Sequence, residues 1–389
     1  MATVAGFGRD SNGALRALPA PGGCIRRKTD SRRYQALCGV GRALREPVDV
    51  WMAPDGKHLY VLTHGSELLD DGGVVTLAIG ANGRLRQLKK KAGCITQLGK
   101  AGCAKGRSMD EGSRLTMSLD GQSMYVTSLT GGVATLRVNP ESGTLYQPKG
   151  EYGCILSSFN PVGSSCRRAP IPDVIPLDIV VAPDGNYVYV LMSLEGVGAV
   201  VAYHRDPGNG VLRFANCIEE NTDEGACTPA VGLAGARGIA ISPDGRTLYV
   251  VAHYYADGGT ITSFARDANS GTLTQLAPKG CFAAMPYPDC GGQGPDFLDP
   301  SSIAASHDGA MVFVAYTHPG KGGSGSVLTS WSRDSSAGAL SYAGCVALNA
   351  KGCTKVRGVK FFNQVTISVD GRTLYLGGSK DLGVFDLGG

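Results

Sequence analysis

The amino-acid sequence predicts an all-β fold, a six-bladed β-propeller built from four-stranded antiparallel blades and closed by the N-terminal strand. A hairpin signature recurs six times with nearly constant spacing, and a second hairpin follows most copies. No long stretch shows the 3.6-residue hydrophobic period of an amphipathic helix. We expect residues 1–389 to form a single domain, because the repeated units would close on one another.

The first hairpin is clearest at Gly238–Ala252, which reads GIAISPDGRTLYVVA. Pro243 presets φ, Asp244 can accept a bond from its own backbone, and Gly245 allows a positive φ, so these residues favour a tight turn. Apolar and β-branched residues flank the turn, as a buried strand requires. The Asp-Gly step recurs every 60 to 65 residues, at Asp55-Gly56, Asp120-Gly121, Asp184-Gly185, Asp244-Gly245, Asp308-Gly309 and Asp370-Gly371.

The second hairpin is represented by residues 260–275, TITSFARDANSGTLTQ, with a polar turn between two strands. Similar segments occupy residues 74–88, 131–147, 200–214 and 327–342. Each repeat therefore supplies four strands, A and B around the Asp-Gly turn and C and D around the second turn. Four-stranded antiparallel units repeated around an axis are typical of propeller blades.

The two ends of the chain are expected to complete the last blade together. Its inner strands would come from Gln364–Leu376 and its outermost strand from Ala14–Leu18, which removes exposed sheet edges. Val4–Gly8 and Leu382–Leu387 both resemble strand C of that blade, and either could fill the position. A seventh, partial blade is the alternative. Because Met1 falls almost directly on a strand, we expect a mature or shortened form with an added initiator methionine.

The 12 cysteines form six local pairs between strand D and the next strand A. Their spacing is irregular and contains no Cys-x-x-Cys step, which favours disulfides over metal sites. The pairs are Cys24/Cys38, Cys94/Cys103, Cys154/Cys166, Cys217/Cys227, Cys281/Cys290 and Cys345/Cys353. Six bridges require an oxidising compartment, so we expect a secreted or periplasmic protein.

Charge and hydropathy restrict the partners. The chain has 37 basic and 33 acidic residues, and this near balance predicts no nucleic-acid partner. No apolar segment reaches the length of a membrane span. We expect a monomer whose ligand is a small-molecule substrate or a glycan.

The repeated Ser-Pro-Asp-Gly-Arg-Thr-Leu-Tyr-Val hairpins, followed by Phe-Ala-Arg-Asp and Gly-Thr-Leu, resemble the YVTN-type, lactonase-like propeller repeats. The resemblance covers nearly the whole chain and implies a relation to phosphogluconolactonases and carboxymuconate cyclases. The cysteine loop resembles that of an exported variant of the family. Two departures are the six-blade count, where the family's enzymes resemble seven-bladed propellers, and the cysteine framework. The enzymes' catalytic residues do not match this chain one by one.

Candidate site residues lie in the long loops, because irregular loops on a rigid scaffold carry most binding sites. His64, His253 and His318 each follow strand B, nine or ten residues after the Asp of the turn. Near-equivalent positions in different blades converge on the axis, where three imidazoles could hold a divalent metal or act as acid and base. They could equally be tolerated as polar residues at the rim. His58, His204 and His307 fall at the short turns, where we expect exposure.

The loop that begins at His253 is the richest in ionisable groups, since Tyr254, Tyr255 and Asp257 follow within four residues. We expect His253, His64, His318, Tyr255 and Asp257 to be catalytic and Tyr254 to contact substrate. Arg114, Arg237 and Arg357 precede strand A and could bind a carboxylate or phosphate. Salt bridges to Asp110, Glu111 or Asp178 are the alternative role for such arginines. The Arg-Asp pairs that recur at one turn in four copies indicate a structural role instead.

Two functions of different classes follow. The first is an exported enzyme that acts on a small anionic or lactone-like substrate in the axial funnel, by hydrolysis or by cyclisation and isomerisation. The second is a non-catalytic propeller that binds a glycan or a protein through its loops. The candidate funnel residues differ between blades, which favours one central site over six equal ones.

Overall fold

A computed structural model of the protein describes residues 3–10, 14–27, 38–65, 71–157, 165–171, 174–220, 227–253, 258–277, 280–287, 290–294, 299–318, 325–348, 350–356, 362–378 and 382–387. These residues form 36 strands and a few short 3-10 helices. None of the helices in this part of the chain has the length and hydrophobicity needed to cross a membrane.

Five blades contain every strand of the repeat. Blade 1 consists of β6 (Pro47–Met52), β7 (His58–Thr63), β8 (Gly73–Ile79), β9 (Leu85–Gln87), β10 (Cys94–Thr96) and β11 (Ala104–Lys105). Blade 2 consists of β12 (Gly112–Met117), β13 (Ser123–Ser128), β14 (Gly132–Val138), β15 (Leu145–Tyr146), β16 (Cys154–Leu156) and β17 (Arg167–Arg168). Blade 3 consists of β18 (Ile175–Val181), β19 (Tyr187–Leu194), β20 (Val197–Arg205), β21 (Leu212–Glu220) and β22 (Thr228–Ala230).

Blade 4 consists of β23 (Ala236–Ile241), β24 (Thr247–His253), β25 (Gly259–Arg266), β26 (Leu273–Gln275), β27 (Cys281–Ala283) and β28 (Gly292–Gln293). Blade 5 consists of β29 (Asp299–Ala305), β30 (Met311–His318), β31 (Gly325–Arg333), β32 (Leu340–Ala347) and β33 (Thr354–Lys355). The 3-10 helices, Ala81–Gly83, Lys90–Gly93, Lys100–Gly102 and Gly150–Gly153, lie in blades 1 and 2.

The ends of the chain form separate sheets, so the prediction of a six-bladed propeller closed by the N-terminal strand is wrong. At the N-terminus, β1 (Thr3–Ala5), β4 (Cys24–Arg27) and β5 (Gly39–Gly41) form one sheet, and β2 (Phe7–Arg9) pairs with β3 (Leu15–Ala17). At the C-terminus, β34 (Gln364–Ile367), β35 (Thr373–Gly377) and β36 (Leu382–Asp386) form another. Counting β1–β5 as an N-terminal blade and β34–β36 as a C-terminal blade gives seven.

The sheet pairings also show which of the two candidate segments, Val4–Gly8 or Leu382–Leu387, forms strand C of the last blade. β36 pairs with β35, so Leu382–Asp386 is strand C of the C-terminal blade. The Val4–Gly8 segment belongs to β1 and β2 of the N-terminal blade, and β3 pairs with β2 rather than with the C-terminal strands. The Asp-Gly count missed this blade because its described strands, β1–β5, contain no Asp-Gly turn.

A short fifth strand that the sequence did not predict follows the second cysteine of each pair. It pairs in parallel with strand D, as in β10–β11, β16–β17 and β32–β33. All six predicted disulfides are present, with Cα–Cα separations of 4.8 to 4.9 Å, and no free cysteine occurs among the described residues. The bridge closes the loop that returns the chain for parallel pairing.

Complete reduction should therefore destabilise the protein strongly. Each bridge closes a short loop and contributes about 2–3 kcal/mol in the chain-entropy model. We expect thermal unfolding to shift to markedly lower temperature in reductant, and the intact mass to rise by about two hydrogens per bridge. Thiol labelling of the native, unreduced protein above a trace level would contradict six bridges.

The chain divides into two compact units, Met1–Val181 with His204–Arg213, and Ala182–Tyr203 with Phe214–Gly389. A cluster that includes Tyr60, Leu62 and Met124 is central to the core of the first unit. The core of the second includes Tyr249, Val251 and the fully buried Trp331. That residues 1–389 form a single domain stays a prediction.

The recurring Arg-Asp turns join neighbouring blades within each unit. Three arginines are buried, and each binds the turn aspartate of the preceding blade: Arg205 to Asp120 at 2.6 Å, Arg266 to Asp184 at 2.6 Å and Arg333 to Asp244 at 2.8 Å. Arg266 and Arg333 also donate from Nε to the buried hydroxyls of Tyr189 and Tyr249. These arginines therefore have a structural role, which is the role that their repetition indicates.

Candidate active site at the ends of strands A and B

The residue nine positions after the Asp of the turn makes the same backbone hydrogen bond in three repeats. It directly follows strand B in blades 1 and 2 and is the last residue of strand B in blade 4. The amide of His64 donates to the carbonyl of Glu46 at 3.0 Å, and the amide of His253 donates to that of Gly235 at 3.1 Å. In blade 2 the corresponding bond joins Leu129 to Glu111 at 3.0 Å. The structure therefore places His64 and His253 at equivalent positions, His64 in the first unit and His253 in the second.

The register of blade 5 places His318 differently. Thr317 pairs with Asp299, which corresponds to the contact of His253 with Gly235 in blade 4. His318 is one residue further and pairs with Gly325. Among the described residues, no group of three or more His, Cys, Asp or Glu is arranged to hold a metal ion. Metal binding at the three histidines stays a prediction.

His253 combines a half-buried ring with an unsatisfied nitrogen. Its Nδ1 is buried and has no hydrogen-bond partner within the part of the chain that the structure describes. A buried polar atom without a partner is costly, so such an atom in a native protein needs an explanation. A ligand or a water that binds there would supply one. Tyr254, Tyr255 and Asp257 lie outside the described residues.

Arg237 lies in a β-bulge two residues after Gly235, whose carbonyl accepts the His253 amide. Ala236 pairs with Ala252, and the register then shifts before Gly238, so Arg237 is the extra residue of strand β23. β-Bulges are common next to active sites, because the extra residue redirects a side chain. The Arg237 Nη2 lies 4.0 Å from Asp299 Oδ1, and both side chains are about half exposed, at 50% and 41%. The half exposure of the Arg237 side chain leaves the guanidinium accessible to an anion.

Arg114 occupies a similar bulge in blade 2, between Gly112 and Leu115. Its Nε also lies 4.0 Å from a carboxylate oxygen, Asp178 Oδ1, but these two side chains are less exposed, at 25% and 17%. Arg114 Nη1 donates in addition to the carbonyl of Ser113. Asp178, one of the partners suggested by the sequence, does pair with Arg114. Arg357, the third predicted arginine, lies outside the described residues.

Asp49 is a neighbouring carboxylate that the sequence analysis missed. Burial raises the pKa of its carboxyl, against the lowering effect of the Leu115 amide, the Arg114 guanidinium and the Val50 amide. Asp49, Arg114 and Asp178 each stand six residues before the Asp of their turn, so the repeat alignment contains a signal for this cluster. In the first unit, Arg114 thus interacts with carboxylates on both adjacent A strands.

Two glutamates directly precede strand A. The sequence analysis missed Glu46 and considered Glu111 only as a salt-bridge partner. Glu46 and Glu111 have φ values of 42° and 48°, in the left-handed region where the equivalent Gly235 has 67°. A non-glycine residue there costs on the order of 1 kcal/mol, and such residues cluster at functional sites. Asp299 stands at the same position of blade 5, so three of these positions carry a carboxylate.

Comparisons with known proteins agree with this architecture. A family model described as "Lactonase, 7-bladed beta-propeller" matches residues 164–290. A search of curated proteins found no match. Among solved structures, the periplasmic gluconolactonase of Pseudomonas aeruginosa is 17% identical, with a TM-score of 0.57 over 99% of this chain and 91% of that one.

Two further structures carry provisional assignments as 6-phosphogluconolactonases. The Bacteroides uniformis protein is 15% identical, with a TM-score of 0.62 over 98% of this chain and 86% of that one. The Bacteroides fragilis protein is also 15% identical, with a TM-score of 0.56 over 99% and 90%. Likeness at this identity shows the fold, and the family model agrees with the seven blades counted from the sheets. The resemblance to the lactonase-like β-propellers that the repeats imply is confirmed.

Proposed function

We propose that the protein is an exported enzyme that hydrolyses a small lactone carrying an anionic group, at the site formed by His253, Arg237 and Asp299. The observation that carries this proposal is the unpartnered, buried Nδ1 of His253 at the same end of a hairpin as the bulged, half-exposed Arg237. The lactonase family model, which matches residues 164–290, spans both side chains. The six disulfides indicate an oxidising compartment, which supports export to the periplasm or the exterior.

The proposed reaction divides its tasks between these groups. His253 accepts a proton from a water molecule as the water oxygen attacks the lactone carbonyl carbon. The ring C–O bond then breaks, and the leaving ring oxygen takes the proton from the imidazolium to give the open hydroxy acid. Arg237 binds the phosphate or carboxylate of the substrate, and Asp299 orients the guanidinium. The protonation state of the enzyme is restored at the end of each cycle.

Substrates that differ in one charged group test this proposal. The hydrolysis of gluconolactone and of 6-phosphogluconolactone can be followed by acid release. In Arg237→Ala we expect KM for the phosphorylated lactone to rise by about tenfold or more, since a hydrogen bond to a charged group contributes about 1.5–3 kcal/mol. The KM for the neutral lactone should change little.

Arg246→Ala is the matched control for Arg237→Ala. Arg246 lies at the other end of the same hairpin, in the Asp-Gly turn, and its side chain is exposed. Its removal changes the net charge equally but should leave both KM values unchanged. No turnover of either lactone by the wild-type protein, or an equal effect of Arg237→Ala on both substrates, would contradict the proposal.

A further inference from the structure

Two adjoining clefts lie in the first unit between the N-terminal blade and blade 1, away from strands A and B. The larger has a volume of about 510 Å³ and the smaller about 380 Å³. They share Gly39 of β5 together with Leu85 and Arg86 of β9, so they form one continuous groove, here called the β5–β9 groove. No residue of the His253 site lines it.

The charge of this groove has a single sign. None of its lining residues is acidic. The five cations that line it are Arg42, Arg84, Arg86, Lys89 and Lys90. Arg42 donates to backbone carbonyls, including those of Ala101 and Lys90, so its charge is held in place without a carboxylate. The other four side chains are exposed and make no ion pair among the described residues. A groove lined by one sign of charge concentrates ligands of the opposite sign.

The repeat shows that the fold does not require these cations. β9, β15 and β26 are equivalent short strands that pair with strand C of their blades. Arg84 and Arg86 of blade 1 correspond to Thr144 and Tyr146 in blade 2 and to Thr272 and Thr274 in blade 4. Polar or aromatic residues therefore occupy both positions in blades 2 and 4. Arg213 of blade 3 and Arg16 of the N-terminal blade stand at the position of Arg86, but neither blade has a cation at the position of Arg84.

The groove is too long for a single small anion. Arg84 and Arg86 are two positions apart on an extended segment, which places their side chains on the same side about 6.6 Å apart. Lys89 and Lys90 extend the row further along the chain. Several anionic groups with a comparable spacing would be needed to contact all of these cations, which favours a polymer over an isolated phosphate or carboxylate.

The other lining residues distinguish between classes of polyanion. They include Ile25, Val40 and Leu88 but no aromatic residue. Proteins that bind single-stranded nucleic acids stack the bases on aromatic side chains, which this groove lacks. An acidic carbohydrate needs only charge and hydrogen bonds along its length. We propose that the β5–β9 groove binds an acidic glycan through its carboxylate or sulfate groups, independently of the lactone site.

The test compares the wild-type protein with Arg84→Thr/Arg86→Thr, which introduces the two residues that blade 4 has at these positions. Binding of polygalacturonate and of heparin is measured by calorimetry at low and at physiological salt. We expect at least one of them to bind, and the double variant to weaken that binding by about tenfold or more, since each cation that faces a polyanion contributes several-fold in affinity. Lactone hydrolysis by the variant should equal that of the wild type.

Lys57→Thr/Lys149→Thr is the matched control, because this variant removes the same amount of charge. Both lysines are exposed and lie in the first unit outside the groove. Its glycan affinity should stay within about twofold of wild type. Equal weakening in this control would show non-specific attraction and overturn the proposal. Binding of neither glycan, or of single-stranded DNA as tightly as the glycan, would also overturn it.

Discussion

His253→Ala is expected to lower kcat for lactone hydrolysis by about 10²–10⁴, the usual cost of removing a general acid or base. The melting temperature should be nearly unchanged, because the ring is only half buried at the end of β24 and its Nδ1 makes no hydrogen bond among the described residues. Steady-state kinetics and a thermal melt on the same preparation separate loss of chemistry from loss of folding.

His307→Ala is the control for this experiment. His307 is exposed beside the Asp-Gly turn of blade 5, where its Nδ1 lies 3.0 Å from the carbonyl oxygen of Val369. The variant His307→Ala should leave kcat unchanged. His64→Ala and His318→Ala should lower kcat by less than His253→Ala does. A loss in His307→Ala as large as that in His253→Ala would contradict the assigned site. If each of the three substitutions at His64, His253 and His318 lowers kcat strongly, and a chelator has the same effect on the wild type, the histidines share a metal instead.

Arg333→Met should produce the largest loss of stability among single substitutions at the repeated turns. The variant removes the bonds from Arg333 to Asp244, Tyr249, Thr247 and the carbonyl of Gly309. Asp244 keeps its bonds from Ser242 and Arg246 but loses its cation, and the Tyr249 hydroxyl still donates to the carbonyl of Gly338. Breaking a buried ion pair costs about 3–5 kcal/mol. We expect about 3 kcal/mol, because Asp244 is 35% exposed and solvent weakens its attraction. Chemical denaturation measures this difference.

The ion pair of Arg333 with Asp244 also predicts that the stability of the protein depends on pH. Burial alone would raise the pKa of Asp244, but bonds from Ser242, Arg246 and Arg333 lower it overall. A carboxyl with a lowered folded-state pKa stabilises the protein above its ordinary pKa and loses that contribution as the pH falls through the folded-state value. The difference in free energy of unfolding between the wild type and Arg333→Met should therefore be largest near neutral pH and shrink below about pH 4.

Arg246→Met is again the control, since Arg246 is exposed two residues from Asp244. It should change the free energy of unfolding by less than about 0.5 kcal/mol. A similar loss in both variants would show that net charge, rather than the buried bonds, explains the effect.

Local patterns allowed several features to be predicted from the sequence. The Asp-Gly turns form as expected, with Gly245 at φ 69° and the Arg246 amide bonded to Asp244 Oδ1. The cysteine pairs were predictable because each pair lies within one short loop and has no nearer partner. The structural role of the Arg-Asp turns followed from their repetition, although the partner of each arginine, in the preceding blade, could not be read from a local pattern.

Other features depend on contacts between distant segments. The basic groove is encoded by the segment RLRQLKKK at residues 84–91, which the charge balance of the whole chain concealed. Its significance appears only when β9 meets β5, because a run of cations on an open surface is ordinarily just solvated. The Asp49, Arg114 and Asp178 cluster likewise forms only because successive A strands pack side by side.

The sequence by itself determined the all-β repeat, its hairpins and the six disulfides, because turn chemistry, alternating apolar residues and short cysteine loops act over a few residues. The tertiary structure decided the number of blades, because pairing of the chain ends is a choice between distant strands of similar pattern. It also decided the fifth strands, the inter-blade ion pairs and the β-bulge that holds Arg237 at the same end of the hairpin as His253. These depend on which backbone edges meet and where a bulge redirects a side chain, and that information is spread over residues far apart in the chain.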